Sequence, residues 1–433
     1  MPARVAERLK PFVIKGGCDP ILGRSRGRRY DAAAKLSLRS AGPSRSSDHH
    51  AGPMQNILIV KLSSLGDVIH TLPAAQALRR KFPQARLVWA VEAAHAGMLR
   101  GTSVVDELIE WKRGTWREFG SFIRRLRAQS WDLAIDFQGL QRSGFVTRLS
   151  GARRRLGFAP GREFSHLYYN EHVPAPTETL HAVERSLRLI GPLGATFEGL
   201  PLRRGYLNEQ HDSQCDANSR GCTPAADTMF PLPIGANDRT AVDGWLAKNQ
   251  IVAGRDSLVV LNPHCRKDAN IWPAERYAGL ATKLLAQGRK VVLTGGPIAR
   301  ELCDTISAQA DEAATSDNGV LRSDGQLSLL GSAELIRRAD LFVTGDTGPM
   351  HIAAAVGTPI VALFGPADPL KTGPYAADAV VLTKRLPCGP CFAHKCPLGH
   401  AVPPCMTDIT VDEVYRAVVA RLAESAAVRR LTA

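Results

Sequence analysis

The feature that most narrows what this chain can become is a rhythm. From Met54 onward short apolar runs alternate with helical patterns: "ILIVKL", "ARLVWAVE", "VDELIEW" and "DLAIDFQG" in the first half, then "SLVVLNPH", "KVVLTGG", "ADLFVTGD" and "PIVALFG" in the second. Near-continuous apolar runs of this length suit strands buried on both faces, and helices packed on either side of a parallel sheet provide that burial. Helical patterns such as residues 72–81 and 116–129 lie between the runs, so the fold class reads as α/β with a parallel sheet in each half. No short repeat is present, so the halves share an architecture and not a sequence period.

Between Arg203 and Asn237 the rhythm fails, and "NEQHDSQCDANSRGCTPAADTMFPLPIGAND" is polar and rich in Gly, Pro, Asn and Asp. The expected organisation is a disordered basic extension over 1–53, a first domain over 54–204, a linker or insertion over 205–240, a second domain over 241–420 and a tail over 421–433. A chain of 433 residues has room for two such domains. Joined this way, they leave a cleft between the carboxyl edges of their sheets, where ligands of open α/β folds bind.

Charge is unevenly placed. Residues 1–53 hold eleven Lys/Arg against four Asp/Glu, half of the formal excess of +14, in an Arg-, Ser- and Gly-rich segment without periodicity. Two readings stand: a targeting leader, being Arg-rich and acid-poor though without the apolar region of a secretory signal, or a stretch translated upstream of the true start, with Met54 as the natural beginning of the fold. Basic groups in the first half, "RRKF", "RRLR" and "GARRRLG", suit solvated faces or attraction to an anionic partner, a membrane surface or an acidic substrate. No apolar run reaches the ~18 residues of a spanning helix; residues 353–364 are broken by Gly357 and Pro359. Of nine cysteines, four fall between Cys388 and Cys405 and the rest are scattered. That is not a disulfide framework, and a reducing cytoplasm is expected.

Two turns are placed to carry chemistry. In "VKLSSLGDVIHTLP" a strand over 57–62 passes into a helix through a small polar loop bearing one carboxylate, Asp67. Read from the loop alone, it serves as a cap for a helix beginning at Val68, worth ~1 kcal/mol. Lys61, Ser63, Ser64 and Gly66 complete the loop, the glycine serving close approach or a special dihedral.

In "FVTGDTGPMHIAAAVGTPIVALFG", Asp346, Thr347 and Gly348 form a tight turn, Pro349 opens a helix and Gly357 closes it. Unpaired N–H groups and the positive dipole end there suit a phosphate. Gly348 admits a diphosphate, Thr347 donates a hydroxyl, and His351 either donates to phosphate or sugar or simply packs. Asp346 would repel a diphosphate, so it accepts from sugar hydroxyls or caps the turn. "VVLTGGPIARELCD" offers Glu301 to the two hydroxyls of a ribose, and "NPHCRKDANIWPAERY" offers Arg266 and Lys267 to a leaving diphosphate. Neither loop has Walker A or G-x-G-x-x-G spacing. In "CGPCFAHKCPLGHAVPPCM", Cys388, Cys391, Cys396 and Cys405, with His394 and His400 nearby, suit a structural zinc or other tetrahedral metal site.

"VKLSSLGDVIHTLPA", "HAVERSLRL" and "GDTGPMHIAAAVGTPIVALFGPADP" together resemble the lipopolysaccharide heptosyltransferases of glycosyltransferase family nine, from Gln55 to about Val419. The resemblance implies a GT-B fold, two Rossmann-like domains facing across a cleft with the acceptor on the first and the sugar nucleotide on the second. It implies ADP-heptose as donor, the inner core on lipid A as acceptor, and inverting transfer with no metal or other cofactor required. On matching positions it implies Asp67 as general base, Thr347, Gly348 and His351 at the diphosphate, Asp346 near the transferred sugar and Glu301 at the ribose. Many relatives carry a lysine two positions before the tryptophan of "WP"; here Asn270 stands there, so either charge neutralisation passes to Lys267 or Arg266 or the donor site differs. Cysteine-rich segments occur in members resembling the second heptosyltransferase, whereas the amino-terminal loop is closer to the first. The expected location is cytoplasmic, peripheral on the anionic inner membrane through the basic first domain. Another nucleotide sugar is the alternative within the family. A basic, zinc-containing nucleic-acid-binding protein is the alternative outside it; that reading leaves the paired turns unexplained, and with only 6% aromatic residues no specific nucleic acid is expected.

Overall fold

The structure, a computed structural model, describes residues 54–196, 229–313, 319–377 and 379–432. The expectations for residues 1–53 and for the linker up to residue 228 lie outside the described residues.

Two parallel sheets of six strands form the frame. The first comprises β1 (Asn56–Val60), β2 (Arg86–Glu92), β3 (Glu107–Trp111), β4 (Leu133–Asp136), β5 (Arg154–Ala159) and β6 (Glu171–Pro174), in the order β3-β2-β1-β4-β5-β6. The second comprises β7 (Leu258–Asn262), β8 (Lys290–Leu293), β9 (Leu321–Arg322), β10 (Leu341–Gly345), β11 (Ile360–Phe364) and β12 (Val380–Thr383), in the order β12-β11-β10-β7-β8-β9. Read from its other edge, the second order repeats the first. In each sheet the chain winds one way and then the other, so the direction switches between β1 and β4 and between β7 and β10. Loops leaving those strands splay apart and open a crevice at their carboxyl ends.

The connections are helical: α1 (Leu65–Lys81), α2 (Trp116–Arg127), α3 (Gln141–Leu149), α4 (Ala182–Ile190), α5 (Ala236–Lys248), α6 (Ala274–Leu285), α7 (Arg300–Ala313), α8 (Leu329–Arg338) and α9 (Gly348–Ala355). Strand interiors are sealed on both faces; Ile57, Leu58, Ile59 and Val60 of β1 are fully buried, as are Phe342 and Val343 of β10. One apolar cluster runs through both halves, joining Val68 and Leu72 of α1 to Ile352 and Ala353 of α9. Apolar contact across the halves thus fixes the ends of β1 and β10 near each other. Among the described residues no helix is long and apolar enough to cross a membrane.

The structure departs from the sequence reading at several places. Helix α1 begins at Leu65, ahead of both Val68 and Leu72, because Ser64 and Asp67 cap it from within "SSLGD". Helix α5 begins at Ala236, which shortens the linker; Gly235 N donates to Asp238 Oδ2 at its start. The strands β5, β6 and β9 do not show as apolar runs, and β12, whose "VVLT" does, is a strand the sequence reading passes over. Strand β5 opens on Arg154, which pairs across the sheet with Glu171 of β6, so an ion pair occupies positions that burial fills elsewhere.

Candidate active site

On the first domain, the site is built from the loop 61–64 and the first turn of α1. Ser64 donates to Asp67 Oδ2 from its N–H at 3.0 Å and its hydroxyl at 2.9 Å, while Lys61 Nζ lies 3.3 Å from Oδ1. Lys61 is buried and also donates to the Phe137 carbonyl. Asp67 keeps 44% of its side chain exposed. Desolvation works against its charge, but Lys61 and the two Ser64 donors outweigh it and hold the carboxyl below its ordinary range. Asp67 is therefore an ionised carboxylate, locked in orientation by the cap it makes and still open on one side.

The neighbouring strand ends hold this loop. Gln138, beyond β4, accepts from the N–H groups of Leu62 and Ser63 at 2.9 and 3.2 Å. Arg142 donates to Ser63 Oγ at 3.3 Å and pairs with Glu92, the last residue of β2, at 3.0 Å. Asp136, fully buried at the end of β4, accepts from the Gln138 and Gly139 N–H groups and the Tyr169 hydroxyl, which fixes where Gln138 points.

On the second domain, Asn262 at the end of β7 donates to Thr344 Oγ1 at 3.0 Å and Thr347 Oγ1 at 3.3 Å, tying β7 to the turn after β10. Thr347 is the N-cap of α9 and makes no side-chain cap bond of its own. Asn270 donates to Asp346 Oδ2 at 3.3 Å. Burial pushes the Asp346 carboxyl up to about 6, against Lys267, Asn270 and Arg266, which pull it down. Lys267 is half-buried and donates to the Phe392 carbonyl; Arg266 is exposed. Glu301 is exposed in the first turn of α7, beyond β8, the next strand out from β7.

These two turns touch. A Cβ on Gly66 would lie 2.3 Å from the His351 ring, and one on Gly348 would lie 2.7 Å from Leu65, so each glycine is needed for close approach to the other domain. His351 is buried with Nδ1 2.9 Å from His70 Nε2. Desolvation pushes its imidazole down to about 4, opposed by the Asp67 charge, so it is neutral at physiological pH. His181, from "HAVERSLRL", caps α4: its Nδ1 accepts from Val183 N, and its Nε2 donates to the Gly373 carbonyl of the second domain at 2.9 Å. Its ring also packs edge-on against His70.

Sequence reasoning passes over His70, His95, Gln138 and Arg142. His95 follows β2 and has its pKa lowered by burial; the charges it feels are Glu92, then Arg266 from the facing domain, then Asp67. The signal that could have found Gln138 and His95 is position: each stands just past the carboxyl end of a strand that borders β1 in the sheet.

Cys388, Cys391, Cys396 and Cys405 are free thiols bordering one cavity of about 30 Å³. Burial, and after it the other three thiols, push the Cys405 thiol up to about 11. Among the described residues no group of three or more His, Cys, Asp or Glu is arranged to hold a metal ion. The segment also straps the second-domain loop, His394 O accepting from Ala269 N at 3.0 Å and Phe392 O from Lys267 Nζ at 3.3 Å.

Comparisons with known proteins cover both domains. The family described as glycosyltransferase family 9 (heptosyltransferase) matches residues 119–402. The lipopolysaccharide heptosyltransferase 1 of Pseudomonas aeruginosa is 30% identical over 354 residues, 78% of this chain and 87% of that one. Its Escherichia coli K12 namesake is 28% identical over 340 residues, 75% and 92% of the two chains. Among solved structures, the ADP-heptose lipopolysaccharide heptosyltransferase II of E. coli superposes with a TM-score of 0.62 at 22% identity, covering 86% of this chain and 99% of that one. An E. coli heptosyltransferase with ADP gives 0.60 at 23%, covering 85% and 100%.

Proposed function

Because the chain belongs to glycosyltransferase family 9, the heptosyltransferases, we propose that it transfers heptose from ADP-heptose to the inner core of lipopolysaccharide, on Kdo-lipid A or an already heptosylated core. The observation that carries this reading is the direct packing of a turn bearing an ionised carboxylate, at Asp67, on a turn with a helix N-terminus, at Thr347 and Gly348.

An acceptor hydroxyl set against the open side of Asp67 gives up its proton to the carboxylate as its oxygen attacks the anomeric carbon from the face opposite the diphosphate. The bond from that carbon to the phosphate oxygen breaks, its electron pair leaves with ADP, and the centre inverts. Arg266, Lys267 and the N–H groups opening α9 meet the charge that develops on the diphosphate, and Glu301 takes the ribose. Asp346, titrating near 6, carries less than a full charge in mildly acidic solution, so it bonds sugar hydroxyls with reduced repulsion of the phosphates. The His351 imidazole is already engaged with His70, so the diphosphate contact from this turn comes from backbone and Thr347. No step draws on a metal. The acceptor is lipid-borne, which places the reaction at the cytoplasmic face of the inner membrane.

The test is a panel of nucleotide sugars offered with Kdo-lipid A and heptosylated acceptors, products read by mass spectrometry and anomeric configuration by NMR. Transfer of heptose from ADP-heptose with inversion is expected. Transfer of a different sugar, retention of configuration, or no transfer with any pair would overturn the proposal.

A further inference from the structure

The first domain exposes large apolar side chains on α2, on α3 and on the segment Arg162–Tyr168. Trp116 is 88% exposed, Phe164 74%, Leu167 73% and Phe145 43%. The rings of Trp116, Phe119, Phe145 and Tyr168 follow one another at centroid spacings of 6.3, 6.4 and 6.1 Å. They form a shelf from the first turn of α2 across α3 to the segment Arg162–Tyr168, which carries Phe164 and Leu167. A contiguous apolar surface of this kind marks a place of contact with something else.

Its presentation is also strained. Glu163 and Phe164 have φ of 50° and 57°, left-handed conformations that are costly for residues with a Cβ and that cluster at functional surfaces. Glu163 accepts from Gln141 N at 3.1 Å, which holds the segment on the start of α3 with Phe164 outward.

The elements that carry the shelf are also cationic. From Lys112 to Glu163 the chain has twelve Lys/Arg against four Asp/Glu, and Lys112, Arg113, Arg117, Arg124, Arg148 and Arg162 are exposed. The four acids are engaged locally: Glu118 in the cap of α2, Asp132 and Asp136 by N–H groups at strand ends, and Glu163 by α3. Inward, the shelf connects to the site. Phe119 packs on Trp111 at 5.4 Å, Arg142 lies over Trp111 at 5.5 Å, and Arg142 donates to Ser63, beside the serine that orients Asp67.

We infer that this aromatic shelf and the arginines of its elements seat the protein on an anionic lipid bilayer. Trp116, Phe164 and Leu167 enter the headgroup boundary and the arginines pair with lipid phosphates, the division of labour that interfacial apolar and basic side chains adopt. The inference deepens the proposed function and rests on it for the reason a lipid-borne acceptor would arrive at this edge; its test does not use that reaction.

The full chain is mixed with vesicles of phosphatidylcholine alone or with added phosphatidylglycerol, and bound protein is measured by flotation at low and high salt. The wild type is expected to bind the anionic vesicles and to release in high salt. The triple variant Trp116→Ser, Phe164→Ser, Leu167→Ser is expected to bind about tenfold or more weakly, as loss of buried apolar area implies. Quenching of wild-type tryptophan fluorescence by brominated phosphatidylglycerol, absent in Trp116→Ser alone, supports the same surface even if the triple variant fails to fold. Heptose transfer to a soluble, delipidated core acceptor is expected to be unchanged in the triple variant. Absent transfer in the wild type would sink the enzymatic reading while leaving the binding result standing. Equal vesicle binding by the folded triple variant, no wild-type binding to anionic vesicles, displacement of vesicles by single-stranded DNA at matched charge, or a lipid-free dimer that the triple variant abolishes would each overturn the inference.

Discussion

Asp67 and Asp346 both stand beyond strands that flank a switch point, β1 in one sheet and β10 in the other, and burial works against the charge of both. Their acidities nevertheless move in opposite directions. Asp67 has a buried ammonium at 3.3 Å and two Ser64 donors at 3.0 and 2.9 Å. Asp346 has one amide donor at 3.3 Å, with Lys267 and Arg266 acting through space. Desolvation is common to the two sites; what differs is the number of donors in contact, and that decides which carboxylate stays charged. Separating two carboxylates in this way assigns them separate roles: a permanent anion to receive a proton, and a group that sits beside phosphates with less repulsion.

The largest effect that can break this comparison is on chemistry. Asp67→Asn keeps an oxygen to accept from Ser64 but loses the basic charge, so kcat is expected to fall by about 10³-fold, within the usual range for removing a general base. Donor affinity, measured by titration calorimetry with ADP, is expected to stay near wild type. A matching loss at Asp346→Asn in kcat alone would mean the two carboxylates are not distinct.

The contact between the turns is open to a steric test. Gly66→Ala drives a methyl into the His351 ring and is expected to cost about 1–3 kcal/mol by denaturant unfolding, as overpacking does. Gly120→Ala in α2, with nothing within 4 Å of the new Cβ, serves as control and is expected to be neutral or stabilising by up to about 1 kcal/mol. Equal behaviour of the two variants would show that the turns do not interlock.

Asp346→Asn gives the smallest effect, and its size depends on pH. The native carboxyl titrates near 6, above its ordinary value of 3.8, so the folded state holds the proton more tightly than the unfolded one. Burying the ionised form therefore costs stability above pH 6 and nothing below 3.8. The variant is expected to raise Tm by a few degrees at pH 8, about 2–4 °C for each kcal/mol recovered, and to match wild type at pH 3.5, with donor KM increased. A variant that is less stable at pH 8 would reverse the assignment.

Much of the frame was legible because burial on both faces writes itself as apolar runs; β1, β2, β4, β7, β8, β10 and β11 are plain in that way. Strands β5 and β6 were not, since Arg154 and Glu171 satisfy one another across the ladder. The start of α1 was hidden because Gly66 looks like a loop residue, whereas its reason for being glycine is the His351 ring, 285 positions on and brought near only by packing. Asp67, Asp346, Thr347, Arg266 and Lys267 could be singled out from strand-loop-helix context. Gln138, Arg142 and His95 could not, because each gains meaning only when strand order sets it beside β1. The cysteine spacing reads as a metal site, whereas the hydrogen bonds by which the same segment straps the Lys267 loop leave no mark in the sequence.

The opposed ionisation of the two carboxylates can be read directly by carbon-13 NMR of the full chain labelled at aspartate carboxyls, with Asp67→Asn and Asp346→Asn spectra identifying the two signals. The account predicts that Asp67 titrates below 3.8 and Asp346 near 6. A shared midpoint, or Asp67 titrating above Asp346, would contradict it.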